Sequence, residues 1–235
     1  MTASPAIARI LKAGSILLIV LGLPLGLALP GWWGWENQPV ENTQAVILVF
    51  GFIHAIVLRR RADDRSKWLW LAGIPLWFVL IARELSFGAV LFPPTSLSDH
   101  GPAFSVNQLA YKPIITPIVL ALIAFSVFVI VRKRLPALGL EVLREGRAPW
   151  LSLGLVAVGM IASSIAEGNF GFRLPIDKDS AQNAEEIIEL GAYLALWAAQ
   201  FEIAAALGAK RRSKQVSGGT GSGAAQLFRQ TKRRA

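Results

Sequence analysis

The chain has 235 residues, 54% of them hydrophobic, and a formal net charge of +9. It contains no cysteine, which excludes disulfides, thiolate metal ligands, iron–sulfur clusters and thiol catalysis. The apolar residues form charge-poor runs of about 17 to 25 residues, the length that crosses roughly 30 Å of hydrocarbon. We therefore predict an all-α, polytopic transmembrane bundle of six helices, with the N- and C-termini cytoplasmic.

The first apolar run covers residues 13–30 and follows a short, mildly basic N-terminus. The basic start and the small residues Gly26 and Ala28 also fit a signal peptide. We interpret the run as an uncleaved signal anchor, with cleavage of residues 1–28 as the open alternative. Gly22 and Gly26 have the GxxxG spacing that favours close helix packing. The tryptophan-rich segment GWWGWENQPVEN then indicates a belt at the outer membrane interface.

Five more spans are predicted after this segment, at residues 43–58, 68–92, 113–131, 150–166 and 186–208. Residues 135–149, between the fourth and fifth spans, are predicted to include an amphipathic helix on the membrane surface. Asp179 or Ser180 is the expected N-cap of the last helix. The six-helix domain covers residues 1–212, and the Gly/Ser-rich, basic segment 213–235 is predicted to be a disordered cytoplasmic tail.

The basic residues fix the expected orientation of the bundle. Most of the 24 Lys and Arg residues lie in the N-terminus, two loops and the tail, whereas the predicted outer loops have only Lys112, Arg173 and Lys178. This asymmetry follows the positive-inside rule and predicts a multi-pass protein of a plasma membrane, of the bacterial inner-membrane type. The expected partners are membrane lipids, anionic lipid at the basic loops and tail, and other membrane proteins. Nucleic acid is not an expected partner.

One face of the last span is polar and aromatic. At about 100° per residue, Glu186, Glu189, Tyr193, Trp197 and Gln200 fall within about 80° of arc. Ionised groups that face lipid are costly, so this face is expected to turn toward protein or a water-filled cavity.

A buried charge cluster is the main candidate site. The predicted topology brings Arg83, about 22 Å into its span, to the same membrane level as several acidic residues, namely Glu84, Glu167, Glu185, Glu186 and Glu189. In one interpretation, Arg83 pairs with Glu186 or Glu189 and locks the third span to the sixth. In the other, the excess carboxylates form a site for a cation, a proton or a polar headgroup.

The other candidates for chemistry are isolated residues. His54 is expected to bond a neighbour near a helix end, Asp99 and His100 to be solvated in a loop, and Ser163 and Ser164 to pack between helices. The chain has no Walker A, HExxH or GxSxG motif. We predict no metal site and no cofactor, and the absence of a complete catalytic set argues against an enzyme.

Three functions follow from these observations. The leading hypothesis is a non-catalytic accessory, assembly or interaction subunit. The second is a small ion-coupled transporter that uses intramembrane carboxylates around Arg83. The third is a membrane enzyme that acts on a lipid or polyprenyl headgroup at the outer face.

Overall fold

The computed structural model describes residues 4–169, 171 and 174–231, with side chains as far as Ala209. The fold is all-α apart from one small hairpin. Its helices are α1 (Pro5–Ala28), α2 (Pro39–Arg61), α3 (Ser66–Glu84), α4 (Lys112–Arg132), α5 (Leu135–Arg144), α6 (Trp150–Glu167) and α7 (Lys178–Thr231). Short 3₁₀ helices lie at Gly31–Gly34, Ser86–Leu91 and Val106–Gln108. The hairpin pairs β1 (Ser96–Ser98) antiparallel with β2 (Gly101–Ala103).

Within the described residues, five helical stretches are long and apolar enough to cross a membrane. They are Pro5–Ala28, Gly31–Arg61, Lys112–Arg132, Trp150–Glu167 and Lys178–Ala209. The chain is therefore a transmembrane protein with a helical bundle fold. α3 is not among the five, because its polar residues Lys67, Arg83 and Glu84 lower the mean hydropathy of a 19-residue helix. The sixth crossing and the positions of the termini stay predictions.

α3 ends at Glu84, whereas the sequence predicts a continuous span to Phe92. The backbone turns at Ser86, Phe87 and Gly88, whose φ angles are 45°, 52° and 91°. Positive φ values cannot continue a right-handed helix. The following residues form the 3₁₀ helix and the loop that leads to the hairpin.

α7 is the central helix and packs against α1, α2 and α6. Its contact with α1 depends on the glycine pair predicted to favour packing. A Cβ atom built on Gly22 would lie 2.3 Å from Ile188, and one on Gly26 would lie 2.7 Å from the backbone nitrogen of Ala184. Only glycine permits this approach. The buried Asn183 of α7 then donates to carbonyls at the end of α1, including that of Pro30 at 3.2 Å.

The loops after α1 and α3 meet the start of α7 at one end of the bundle, which we call the hairpin end. His100 Nδ1 lies 2.8 Å from Asp179, and the Trp35 indole N–H donates to the same carboxylate at 3.4 Å. Asp177, rather than Asp179 or Ser180, caps α7, because its carboxylate accepts the Ser180 amide at 2.9 Å. Hydrogen bonds from the Ser180 side chain and backbone hold the pKa of Asp177 below its usual range.

The opposite end, which we call the basic end, carries Arg59–Arg61 and Arg132–Arg134. Here Lys12 of α1 pairs with Glu202 of α7 at 2.6 Å, and the buried Ser152 of α6 donates to the other oxygen of Glu202 at 2.6 Å. The amphipathic helix α5 lies beside α4 with Leu135, Leu138 and Val142 buried. The helical backbone of α7 continues to Thr231, through most of the segment 213–235 that the sequence predicts to be a disordered tail.

Candidate functional site

The predicted charge cluster lies at the hairpin end, between α2, α3 and α7. Arg83 and Glu84 occupy the last turn of α3. Glu185, Glu186, Glu189 and Tyr193 occupy successive turns of α7, where the 3.6-residue period turns the last three toward α2 and α3.

Arg83 pairs with Glu189. The guanidinium Nη1 lies 2.7 Å from Glu189 Oε1 and also donates to the Tyr193 hydroxyl at 3.2 Å. The Glu189 side chain is 5% exposed, whereas that of Arg83 is 53% exposed. The arginine is therefore not the buried charge that the sequence suggests. It lies over the edge of the cluster, with its charged end on a buried carboxylate and its stem on the bundle surface.

Tyr193 joins two carboxyl groups. Its buried hydroxyl lies 2.6 Å from Glu189 Oε1 and 3.1 Å from Glu84 Oε2. A phenol has one hydrogen and can donate to only one of these oxygens. The other contact is a hydrogen bond only when that carboxyl group carries a proton. The geometry therefore has a place for one proton more than the ionised groups supply.

Glu186 is engaged by α2 instead of by Arg83. The amide of Gln44, which is fully buried, donates at 2.9 Å to Glu186 Oε2 and at 2.7 Å to its backbone carbonyl. The Gln44 carbonyl oxygen Oε1 is buried without a hydrogen-bond partner among the described residues. A buried acceptor without a donor costs free energy, so this position favours an added donor.

Further carboxylates surround this core. Glu186 is within electrostatic range of Glu41, Glu84, Glu185 and Glu189. We call these five acids the carboxylate cluster. Glu167, at the end of α6, is exposed, and its electrostatic interaction with the cluster is with Glu185. Arg83 is the cation that faces these acids from α3. Among the described residues, one positive charge therefore stands beside five carboxyl groups, which favours protons or other cations for balance.

The rest of the α7 face contacts α2 in the direction of the basic end. The Trp197 indole N–H donates to His54 Nδ1 at 3.3 Å, and the Gln200 amide donates to the carbonyl of Gly51 at 3.1 Å. All five polar and aromatic residues of the predicted face thus contact protein.

The isolated candidates lie outside the carboxylate cluster. His100 pairs with Asp179 on α7, not with its neighbour Asp99. Ser163 is buried in α6. Among the described residues, no group of three or more His, Asp or Glu side chains has an arrangement that could hold a metal ion.

Sequence reasoning missed the contribution of α2. Glu41 and Gln44 are three residues apart, and Gln44, Leu48, Gly51 and Ala55 continue the same buried face. A buried amide at helical spacing from a carboxylate, at the start of an apolar helix, was the available signal.

No protein-family model, no curated protein and no solved structure matches this chain.

Proposed function

We propose that this chain is a small proton-coupled transporter of a bacterial-type plasma membrane, in which the carboxylate cluster is the proton-binding site. The observation that carries the proposal is the contact of one Tyr193 hydroxyl with both Glu84 and Glu189. This arrangement is complete only with an additional proton, and it is held between two helices, α3 and α7.

Proton binding would change how these helices are joined. With Glu189 ionised, Arg83 is paired and α3 is fixed to α7. A proton that moves from Glu84 to Glu189 through the Tyr193 hydroxyl would remove the charge that holds Arg83. Arg83 could then bind either solvent or one of the remaining acids. With that contact to α7 released, α3 could move relative to α7. Coupling of this kind needs titratable groups that are shared by two elements, and the cluster has them.

Two other features support a proton site. The buried Gln44 Oε1 accepts no hydrogen bond from described residues, so a protonated carboxyl or a water molecule would be stabilised beside it. The face then continues along α7 through Trp197 and Gln200 toward the basic end, where His54 borders a cavity.

Infrared difference spectroscopy of the purified protein in liposomes tests the proton site. At neutral pH, the wild type is expected to have a protonated-carboxyl C=O band that Glu84→Gln removes. Glu202→Gln is the matched control, because Glu202 belongs to the separate Lys12 and Ser152 contact. Absence of the band in the wild type, or its persistence in Glu84→Gln, would refute the proposal.

Proteoliposomes that contain only this chain and a trapped pH dye test the transport step. An imposed membrane potential is expected to drive proton movement in the wild type and in Glu202→Gln but not in Glu84→Gln. If the carboxyl band is present and no movement occurs under any gradient, the transport proposal fails although the proton site stands.

A non-catalytic accessory subunit is the second candidate. The Arg83–Glu189 pair, which by itself can lock α3 to α7, favours it. The lock predicts that the cluster contributes to stability alone, with no protonated carboxyl at neutral pH. An enzyme acting on a headgroup is not proposed, because the buried Glu84 and Glu189 both turn toward Tyr193.

A further inference from the structure

A second polar region lies at the basic end, away from the carboxylate cluster. A cavity of about 400 Å³ opens between α1, α2, α3 and α7. Most of its wall is apolar, with Ile7, Val57, Leu58, Trp70, Phe201 and Leu207. The volume is within the usual range of small-molecule and lipid sites, and such sites combine apolar walls with a few placed polar groups.

Two of those polar groups lie on α2, two helical turns apart. His54 and Arg61 both line the cavity and are separated by roughly 10 Å along the helix axis. Trp197 donates to His54 Nδ1, so a neutral His54 ring carries its hydrogen on Nε2. The ring is held by Phe201 at a centroid distance of 4.0 Å. The deeper level of the cavity is therefore bordered by an imidazole that can donate through Nε2–H, and its rim has a guanidinium.

The charge at the rim favours an anion. Arg65 pairs with Glu141 and Lys67 with Asp64, but Arg61 forms no ion pair within the described part of the chain. Asp63 also lines the cavity, and its carboxylate accepts the Ser66 amide at 2.7 Å as a cap of α3. The cap engages Asp63, which leaves the Arg61 guanidinium as the group at the rim that can bind an anion.

We propose that this cavity binds one anionic phospholipid from the adjoining leaflet. Its phosphate would contact Arg61, an ester oxygen would accept the His54 N–H, and the start of an acyl chain would contact Trp70 and Phe201. A guanidinium binds phosphate with two hydrogen bonds, and the two-turn separation suits a headgroup and its ester better than a free phosphate.

The experiment measures Trp70 fluorescence in phosphatidylcholine nanodiscs of the full chain. Phosphatidylglycerol or phosphatidylcholine with brominated acyl chains is titrated in, and subtraction of the Trp70→Phe variant isolates the signal of Trp70. We expect half-maximal quenching at a several-fold lower mole fraction of the anionic lipid. Equal quenching by both lipids would overturn the proposal.

Two arginine variants give the matched comparison. Arg61→Gln is expected to remove the preference for anionic lipid, a loss of about five- to tenfold in apparent affinity. Arg60→Gln makes the same charge change on a residue that does not line the cavity and should keep the preference. Equal losses in both variants would indicate general surface attraction and refute the site. Full competition by soluble glycerol phosphate would refute the lipid as occupant.

Discussion

The guanidinium of Arg83 in α3 lies 2.7 Å from the carboxylate of Glu189 in α7. The two residues differ greatly in exposure, since Glu189 is buried and half of the Arg83 side chain is not. The pair therefore ends at the bundle surface, where a proton or a solvent cation can compete with the arginine. Variants of Arg83 and Glu189 can therefore test both proposed functions.

Removal of Arg83 should destabilise the fold. Arg83→Ala leaves Glu189 buried without its cation, and we expect a loss of about 2 kcal/mol, between the values for exposed and fully buried pairs. Chemical unfolding in detergent measures it. The double variant Arg83→Ala with Glu189→Gln should recover part of the loss, whereas Arg83→Ala with Glu186→Gln should not, because Glu186 bonds Gln44. Arg65→Ala, which breaks the exposed pair with Glu141, should change stability by less than about 1 kcal/mol.

Tyr193→Phe should separate proton sharing from packing. The ring keeps its contacts with the buried Leu48 and Trp77, but Glu84 and Glu189 lose the hydroxyl between them. We expect a stability loss of about 1–3 kcal/mol and a shift in the frequency of the carboxyl C=O band. An unchanged band would show that no proton is shared through the Tyr193 hydroxyl and would contradict the proposed proton site.

Gly26→Ala should lower the stability of the fold although it adds only one methyl group. The new methyl group would lie 2.7 Å from the α7 backbone at Ala184, which cannot move as a side chain does. We expect a loss of about 1–3 kcal/mol from overpacking. Gly154→Ala is the control in α6, where nothing lies within 4 Å, and a helix-interior alanine there should be neutral or stabilising. Similar unfolding midpoints for both variants would contradict the close α1–α7 contact.

The crossing of α3 is open to a direct labelling test, because the chain has no cysteine. Ser98→Cys lies in the hairpin and Asp64→Cys in the loop between α2 and α3, and both positions are exposed. We expect a membrane-impermeant maleimide to label the first from outside intact cells and the second only after permeabilisation. Labelling of both from the same side would show that α3 does not cross.

The sequence predicts the helical class and the polar face of α7 because both depend on period and length alone. Glu186 and Glu189 both lie on that face, and the sequence gives no reason to prefer one of them as the partner of Arg83. Arg83 pairs with Glu189 because the Gln44 amide of α2 already donates to the Glu186 carboxylate and to the Glu186 backbone carbonyl. Side-chain competition between helices distant in sequence is not encoded in any local pattern.

The end of α3 at Glu84 could not be predicted from the local sequence for a different reason. Ser86 and Phe87 adopt positive φ, a conformation that their side chains disfavour and that only tertiary contacts can impose. Tyr111, whose hydroxyl donates to the carbonyl of Phe87 at 3.0 Å, is one such contact from a distant segment. Apolar residues from Leu85 to Phe92 suggested a span where the backbone in fact turns.

The close fit of α1 against α7 also constrains the order in which the chain assembles. α1 is synthesised before α7, yet among the described residues Lys12, Gly22 and Gly26 have their close partners on α7. Before α7 is inserted, Lys12 lacks the Glu202 carboxylate, and the α1 surface at Gly22 and Gly26 lacks the side chains that pack on it. Contacts so distant in sequence are slow to form, so we expect the α1–α7 contacts to be completed only after α7 has entered the membrane.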